Sequence, residues 1–290
     1  MGKKAITKQM NMRDEAKTKV DMGGVSETLL LTVYLRAKES ARHDGIISDK
    51  FAEDWVGQME YNFEKFDKDR LSGVGVSVRT EVLDEIVVQF LRKNPDAIIV
   101  NIGAGLCTRF QRVDNGSATW FELDVPEALD LRKKFLPSSP PRYGYIEKSA
   151  FDYTWLDDVS AAAGNGQGSV LIVAEGVLMY FEENQVKELF RQIRTHFPKA
   201  EVVTDTMPKF STKMSIKHHK SVSQTDARFK WGLGKTSELY GWNLGIDLIS
   251  EYSLFNRHTK RWGLISLLRF IPLGRRMTRL IHFRFDNKAV

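Results

Sequence analysis

Cysteine is almost missing: Cys107 is the single one in 290 residues, so an intramolecular disulfide and the usual cysteine-rich zinc sites are excluded. No stretch approaches the roughly 18–20 apolar residues that span a bilayer. The basic start Met1-Gly2-Lys3-Lys4 is not followed by an apolar run of signal length. A soluble, cytoplasmic chain with no membrane partner is expected. Metal-ligand spacing is absent too, so no metal is expected. Neither an internal repeat nor a low-complexity tract occurs, which excludes a repeat architecture. Acids are in modest deficit, 37 against 43 Lys and Arg, for a formal charge of +6. An excess of this size favours anionic partners without requiring nucleic acid. The cations gather at residues 3–19, 209–220 and 257–284, with none of the aromatic interleaving of RNA-binding modules, so a nucleic-acid partner is not expected.

What is present reads as one large α/β domain carrying a smaller cap. Leu30, Val33, Tyr34 and Ala37 recur at helical spacing behind Ser26, a residue suited to an N-cap. Helical periodicity continues over Asp49–Met59 and Tyr61–Phe66, so residues 1–70 are expected to form helices only. A long amphipathic helix follows from Val76 to Lys93, with Val78, Val82, Ile86 and Phe90 on one face, and Asn94-Pro95-Asp96 stops it. Five apolar segments then read as strands: AIIVNI, ATWFELDVP, RYGYIEKSAF, SVLIVAEGVLMYF and AEVVTDTM. Helices at Glu127–Phe135 and Glu182–His196 fall between them. Such alternation predicts a doubly wound, mostly parallel sheet over residues 71–290. A polar insertion near 209–245 follows the fifth strand. ISEYSL reads as an edge strand and RLIHFRFDNK, residues 279–288, as the last strand.

The first strand ends in Gly103-Ala104-Gly105. Glycines there let backbone approach a ligand where a Cβ would clash. Asp124 lies 21 residues beyond Gly103, at the end of the next strand, where an acid can accept hydrogen bonds from both ribose hydroxyls. The position of the third glycine in a dinucleotide fingerprint is Thr108. A nucleoside without phosphates, such as S-adenosylmethionine (SAM), fits better than a pyrophosphate.

An ordered series of segments then resembles the leucine carboxyl methyltransferase-like family, which includes the tetracenomycin-type polyketide O-methyltransferases. The series runs VSETLL, YLRAKES, Arg79-Thr80 with Asp84, VNIGAGLCTRF, WFELDVPEALDLRKKF, Arg142 ahead of IEKSAFD, and AEGVLMYF, over about residues 24 to 195. The resemblance implies a Rossmann-like domain that uses SAM and releases S-adenosylhomocysteine. It implies that Arg79 binds the carboxylate of the methionine moiety, for which a permanently charged fork is suited. Gly103, Ala104 and Gly105 would form the turn beneath the cofactor, and Leu123 and Asp124 its ribose side. Phe151 and Asp152 would meet adenine, and Glu175 would bind the ammonium group or orient the acceptor. Glu175 and Tyr180 are the candidate catalytic residues.

Family members commonly carry Asp where this chain has Cys107, which is expected to be a buried structural residue. Arg132 and Arg142 are expected in structural ion pairs. The six histidines, His43, His196, His218, His219, His258 and His282, lie outside the strand-end motifs. That mildly favours an acceptor that ionises alone. The cap and the insertion are expected to form the acceptor pocket, with Glu27, Tyr34, Arg36, Phe229, Trp231 and Trp242 as candidates for its lining. Lys209, Lys213, Lys217 and Lys220 would hold an anionic, small-molecule acceptor. The expected function is O-methylation of a carboxylate or hydroxyl on a polyketide-like metabolite. The alternatives are methylation of tRNA or a protein C-terminus, or a catalytically idle SAM-binding regulator.

Overall fold

A computed structural model of the chain describes residues 17–20, 27–67, 70–136, 138–164, 168–212 and 229–286. Seven strands form the main sheet: β1 (Ile98–Ile102), β2 (Thr119–Asp124), β3 (Tyr143–Glu147), β4 (Val170–Ala174), β5 (Glu201–Thr206), β6 (Ile246–Ser253) and β7 (Arg279–Phe285). Their order is β3-β2-β1-β4-β5-β7-β6. The first five run parallel, and β7 is antiparallel to both of its neighbours. The order reverses between β1 and β4, the two central strands, whose residues are all buried. Ligands of open α/β sheets bind in the crevice outside the carboxyl ends of strands at such a reversal.

Seven principal helices surround the sheet: α1 (Glu27–Ser40), α2 (Lys50–Gln58), α3 (Arg70–Lys93), α4 (Arg109–Val113), α5 (Pro126–Phe135), α6 (Trp155–Ala162) and α7 (Glu183–His196). Alternating side chains of β1 divide between two cores. Ile98, Val100 and Ile102 join α6, α7, Trp231 and Trp242 on one face. Ile99 joins Val78, Val82, Ile86 and Phe90 of α3 on the other, so the expected apolar face of α3 is the buried one. A third cluster packs α1 and α2 against Leu106, Leu131 and Phe135 at the edge of the glycine turn. No helix among the described residues is long and apolar enough to cross a membrane.

Several expectations need correction. The segment up to residue 70 is not helical only: Thr18–Lys19 pairs in parallel with Met59–Glu60, and Tyr61–Phe66 contains just a 3-10 turn at Glu64–Phe66. Its aromatic spacing serves ring packing instead, with Tyr61 and Phe63 edge to face at 5.0 Å between centroids. The long helix starts at Arg70, six residues before Val76. Gly73 and Gly75 conceal that start because glycine is a poor helix former. A Cβ on Gly75 would come 3.4 Å from the Trp262 indole, so the small residue accommodates a packing contact. ISEYSL does fall in the edge strand, β6, and the expected last strand is β7, which lies inside the sheet between β5 and β6. The fourth apolar run stops being strand at Ala174, where Gly176 turns at φ +68 into a 3-10 turn at Leu178–Tyr180. Ser26 and residues 213–228 of the insertion lie outside the described residues.

One buried arginine ties β1, β2 and β3 together. Arg132, on α5 and fully buried, bonds Glu122 at 3.2 Å and the Tyr143 hydroxyl at 2.7 Å. Its Nη1 also donates to the carbonyls of Gly105 and Cys107, at 3.1 and 2.5 Å. Glu122 completes its shell with Asn101 at 2.7 Å. The expected ion pairs of Arg132 and of Arg142, the latter with Asp114, are thus both present. Arg132→Met strands a carboxylate in the core, and urea unfolding should show a loss of about 3–5 kcal/mol. Partial recovery is expected in the Glu122→Leu/Arg132→Met double variant, which removes both charges.

Candidate functional site

The carboxyl edge of the sheet is built on its glycine turn. Gly103 (φ +65) and Gly105 (φ +43) occupy the left-handed region, which side chains with a Cβ rarely adopt. A Cβ on Gly103 would come 2.6 Å from a methyl of Val177, and one on Gly105 would collide with Leu29 of α1. The amides of Gly103 and Ala104 donate to the Leu123 carbonyl at 2.8 and 3.2 Å. Asp124 accepts from Gly105 N and from Val125 N, each at 2.8 Å, so the acid at the end of β2 braces the turn after β1. Burial pushes its carboxyl above the usual aspartate range despite those two amides.

Beside the turn runs a chain of buried charges that alternate in sign. Arg79 of α3 donates to Glu175 at 2.9 Å and to Asp205 at 2.7 Å, and Asp205 also accepts from Gly176 N at 2.7 Å. Glu175 accepts from Arg109 at 2.5 Å, and Arg109 reaches Asp84 at 2.9 Å. Arg112 joins Asp84 at 2.6 Å to Asp49 at 2.8 Å, and Asp49 takes Arg36 of the cap at 3.0 Å. Four arginines thus meet four carboxylates. Burial alone would raise the Glu175 carboxyl, but Arg79 and Arg109 outweigh it and hold the group far below the usual range. Both its oxygens are taken by guanidinium groups. The second terminal nitrogen of Arg79 has no hydrogen-bond partner among the described residues and lies against Gly176, where a Cβ would come within 3.4 Å.

Tyr180 sits on the 3-10 turn after β4. Its ring lies 5.4 Å from that of Phe229, its hydroxyl is bonded to Thr28, and burial raises its pKa. Phe151 packs edge to face on Phe181 at 4.5 Å. Asp152 is exposed and accepts from the Thr154 amide and hydroxyl at 3.2 and 2.7 Å. Leu123 reaches the turn only through its carbonyl, because its side chain belongs to the core.

Other candidates are placed elsewhere. Tyr34 stacks on Phe63 and donates to Asp67, while Glu27 is held by Tyr61 and Lys65. Arg36 is spent on Asp49 and the Leu106 carbonyl. Trp231 and Trp242 are core residues, and Lys209 pairs with Glu183 and Glu238. Lys213, Lys217, Lys220, His218 and His219 lie outside the described residues. Cys107 is half-buried rather than buried, and its sulfur accepts from Arg109 at 3.5 Å. Asp205, Arg112 and Asp49 were not anticipated. Asp205 carries the same signal as Asp124 and Glu175, an acid at or just beyond the carboxyl end of a parallel strand.

A family model described as leucine carboxyl methyltransferase matches residues 30–194. The tetracenomycin polyketide synthesis O-methyltransferase TcmP of Streptomyces glaucescens is 28% identical over 276 residues, covering 92% of this chain and 98% of that protein. The S-adenosyl-L-methionine-dependent methyltransferase dpfgK of Gibberella zeae is 28% identical over 194 residues, 62% of this chain and 64% of its own. A solved DUF574 family protein from Streptomyces avermitilis shares the fold at a TM-score of 0.58 and 12% identity, over 90% of this chain and 98% of that one. With the family match spanning more than half of its length, the chain belongs to the leucine carboxyl methyltransferase family and is a SAM-dependent methyltransferase.

Proposed function

We propose that this methyltransferase acts on an oxygen, a carboxylate or an acidic hydroxyl, of a small polyketide-like molecule. The observation that carries the reading is the strand-end geometry, in which a Cβ-free turn braced by Asp124 lies in the same sheet edge as a partly committed Arg79. Those residues suit SAM: Asp124 has lone pairs for ribose hydroxyls, and the open nitrogen of Arg79 can meet a carboxylate. When bound, the cofactor supplies an already activated sulfonium methyl. The protein's share of the work is to orient the acceptor and exclude water.

In this reading Phe151 packs on adenine, and Asp152 exchanges its Thr154 contacts for the adenine amino group. Glu175 is a positioning residue: it aims Arg79, and Arg79 and Arg109 hold its carboxyl far below the usual range, which makes it too weak a base to take a proton. Tyr180 remains a neutral phenol at neutral pH and can orient an acceptor oxygen by donating to it. Neither candidate is a general base, which favours an acceptor already ionised, and a carboxylate meets that condition. The name of the TcmP relative supports oxygen as the acceptor atom and a polyketide-like molecule as its carrier. We assign the covering of the acceptor to the cap, within residues 1–70, and to the insertion near 209–245. Leu29 on α1 touches the glycine turn, and Phe229 meets Tyr180.

Calorimetric titration with S-adenosylhomocysteine should show affinity about 10–100-fold weaker in both Arg79→Ala and Asp124→Ala, the cost of one charge-assisted contact each. Unchanged affinity in both variants would remove the site from this edge. The same titration should depend on pH. Ionised Asp124 accepts the ribose hydroxyls, so affinity is full above its raised pKa and falls as pH drops through it, starting above the range of an exposed aspartate. Asp124→Asn should flatten that slope. With labelled SAM, methyl transfer to aromatic carboxylic acids should exceed transfer to the matching simple alcohols, and transfer to amines alone would refute O-methylation.

A further inference from the structure

Between β6 and β7 the chain carries a basic, apolar connection that the methyltransferase reading leaves without a task. Residues 254–278 contain six Lys and Arg and no acid, as much positive charge as the +6 of the whole protein. Two of the six are paired, Arg257 with Glu85 and Arg261 with Glu39. The other four, Lys260, Arg269, Arg275 and Arg276, have no ion pair among the described residues. Between them stand Leu264, Leu267, Phe270, Ile271, Leu273 and Met277, half of the twelve exposed large apolar side chains of the described chain. Leu264 is 85% and Phe270 64% exposed.

This outward face is held in place from behind. Phe255 and Trp262 are buried in the core that contains α3, and Ser266 and Gly274 are buried on the inner side of the same turns. A Cβ on Gly274 would strike the Leu268 carbonyl, so the last turn is closed against the one before it. The leucines therefore cannot fold inward. The connection leaves β6 after Ser253 and enters β7 at Arg279, and both residues stand in register with Thr206 at the carboxyl end of β5. It thus projects from the sheet edge that carries Asp124 and Glu175.

Exposed apolar patches of this extent mark interaction surfaces. A second copy across a two-fold axis would bring like patches, and so the uncompensated cations of both copies, together. Nucleic acid would answer the cations and leave the leucines in water. An anionic bilayer meets both demands: short apolar turns lie at the boundary of headgroups and acyl chains while guanidinium groups reach lipid phosphates. We propose that the connection between β6 and β7 is a docking surface for an anionic lipid bilayer. The expectation of no membrane partner rests on the lack of a spanning segment, and a peripheral contact needs none. Docking of this kind presents the cofactor edge of the sheet on the lipid side.

The test is co-sedimentation of the full chain with vesicles of phosphatidylcholine, with and without phosphatidylglycerol. Sedimentation with the anionic vesicles is expected, weakening as salt rises, with little on phosphatidylcholine alone. Leu264→Asp/Phe270→Asp and Arg275→Glu/Arg276→Glu should each weaken it at least about tenfold while leaving S-adenosylhomocysteine affinity unchanged. No sedimentation with anionic vesicles, or binding indifferent to the Leu264/Phe270 variant, overturns the proposal. A dimer in light scattering that the Leu264/Phe270 variant dissolves also overturns it, in favour of a second copy. None of these readouts involves methyl transfer, so the O-methyltransferase reading stands or falls separately.

Discussion

A guanidinium group can be buried only if carboxylates replace its water, and this one requirement organises the molecule. Arg79, Arg109, Arg112 and Arg36 are placed below or beside the sheet edge, and each is matched by at least one of Asp205, Glu175, Asp84 and Asp49. Because Glu175, Asp84 and Asp49 each serve two arginines, removing any of them leaves a neighbour with uncompensated charge, which is costly in a low-dielectric interior. The run begins at β5 and ends on α1. Helix α1 is therefore fastened beside the sheet by the same groups that hold Arg79 in position, and the apolar packing of Leu106 against α1 and α2 reinforces the join.

The Cys107 departure is intelligible in these terms. A carboxylate at that position would stand next to Arg109, but Arg109 already has Asp84 and Glu175, and needs no third acid. The thiol takes the leftover Nη1 at 3.5 Å as a weak acceptor.

Much of the frame was legible in one dimension. Strands β1 and β4 announce themselves as uninterrupted apolar runs because both faces of a central parallel strand are covered. The α3 face could be read from Val78, Val82, Ile86 and Phe90, and the glycine turn with Asp124 from spacing alone. What escaped has particular causes. Gly73 and Gly75 argue locally against helix, and only Trp262, almost two hundred residues away, explains Gly75. Tyr34 and Arg36 look like pocket residues on a helix. Whether they face a cavity or a neighbour depends on Phe63 and Asp49, which lie beyond the helix. Asp205 stands near the end of β5 as Asp124 stands at the end of β2, but its partner Arg79 lies 126 residues away. Pair partners are tertiary facts, and spacing along a chain does not encode them.

The Val177 side chain fills the volume that a Cβ on Gly103 would need, so the loops following β1 and β4 mesh like teeth. Gly176, one residue earlier, is in turn bonded to Asp205 at the end of β5. The loops after β1 and β4 and the end of β5 are therefore in direct contact. A floor locked in this way is a poor place for evolution to experiment, since a change in one loop must be accommodated by two others. On the function proposed above, a change of acceptor is then easier to accommodate in α1, in α2 and near Phe229 than in this turn.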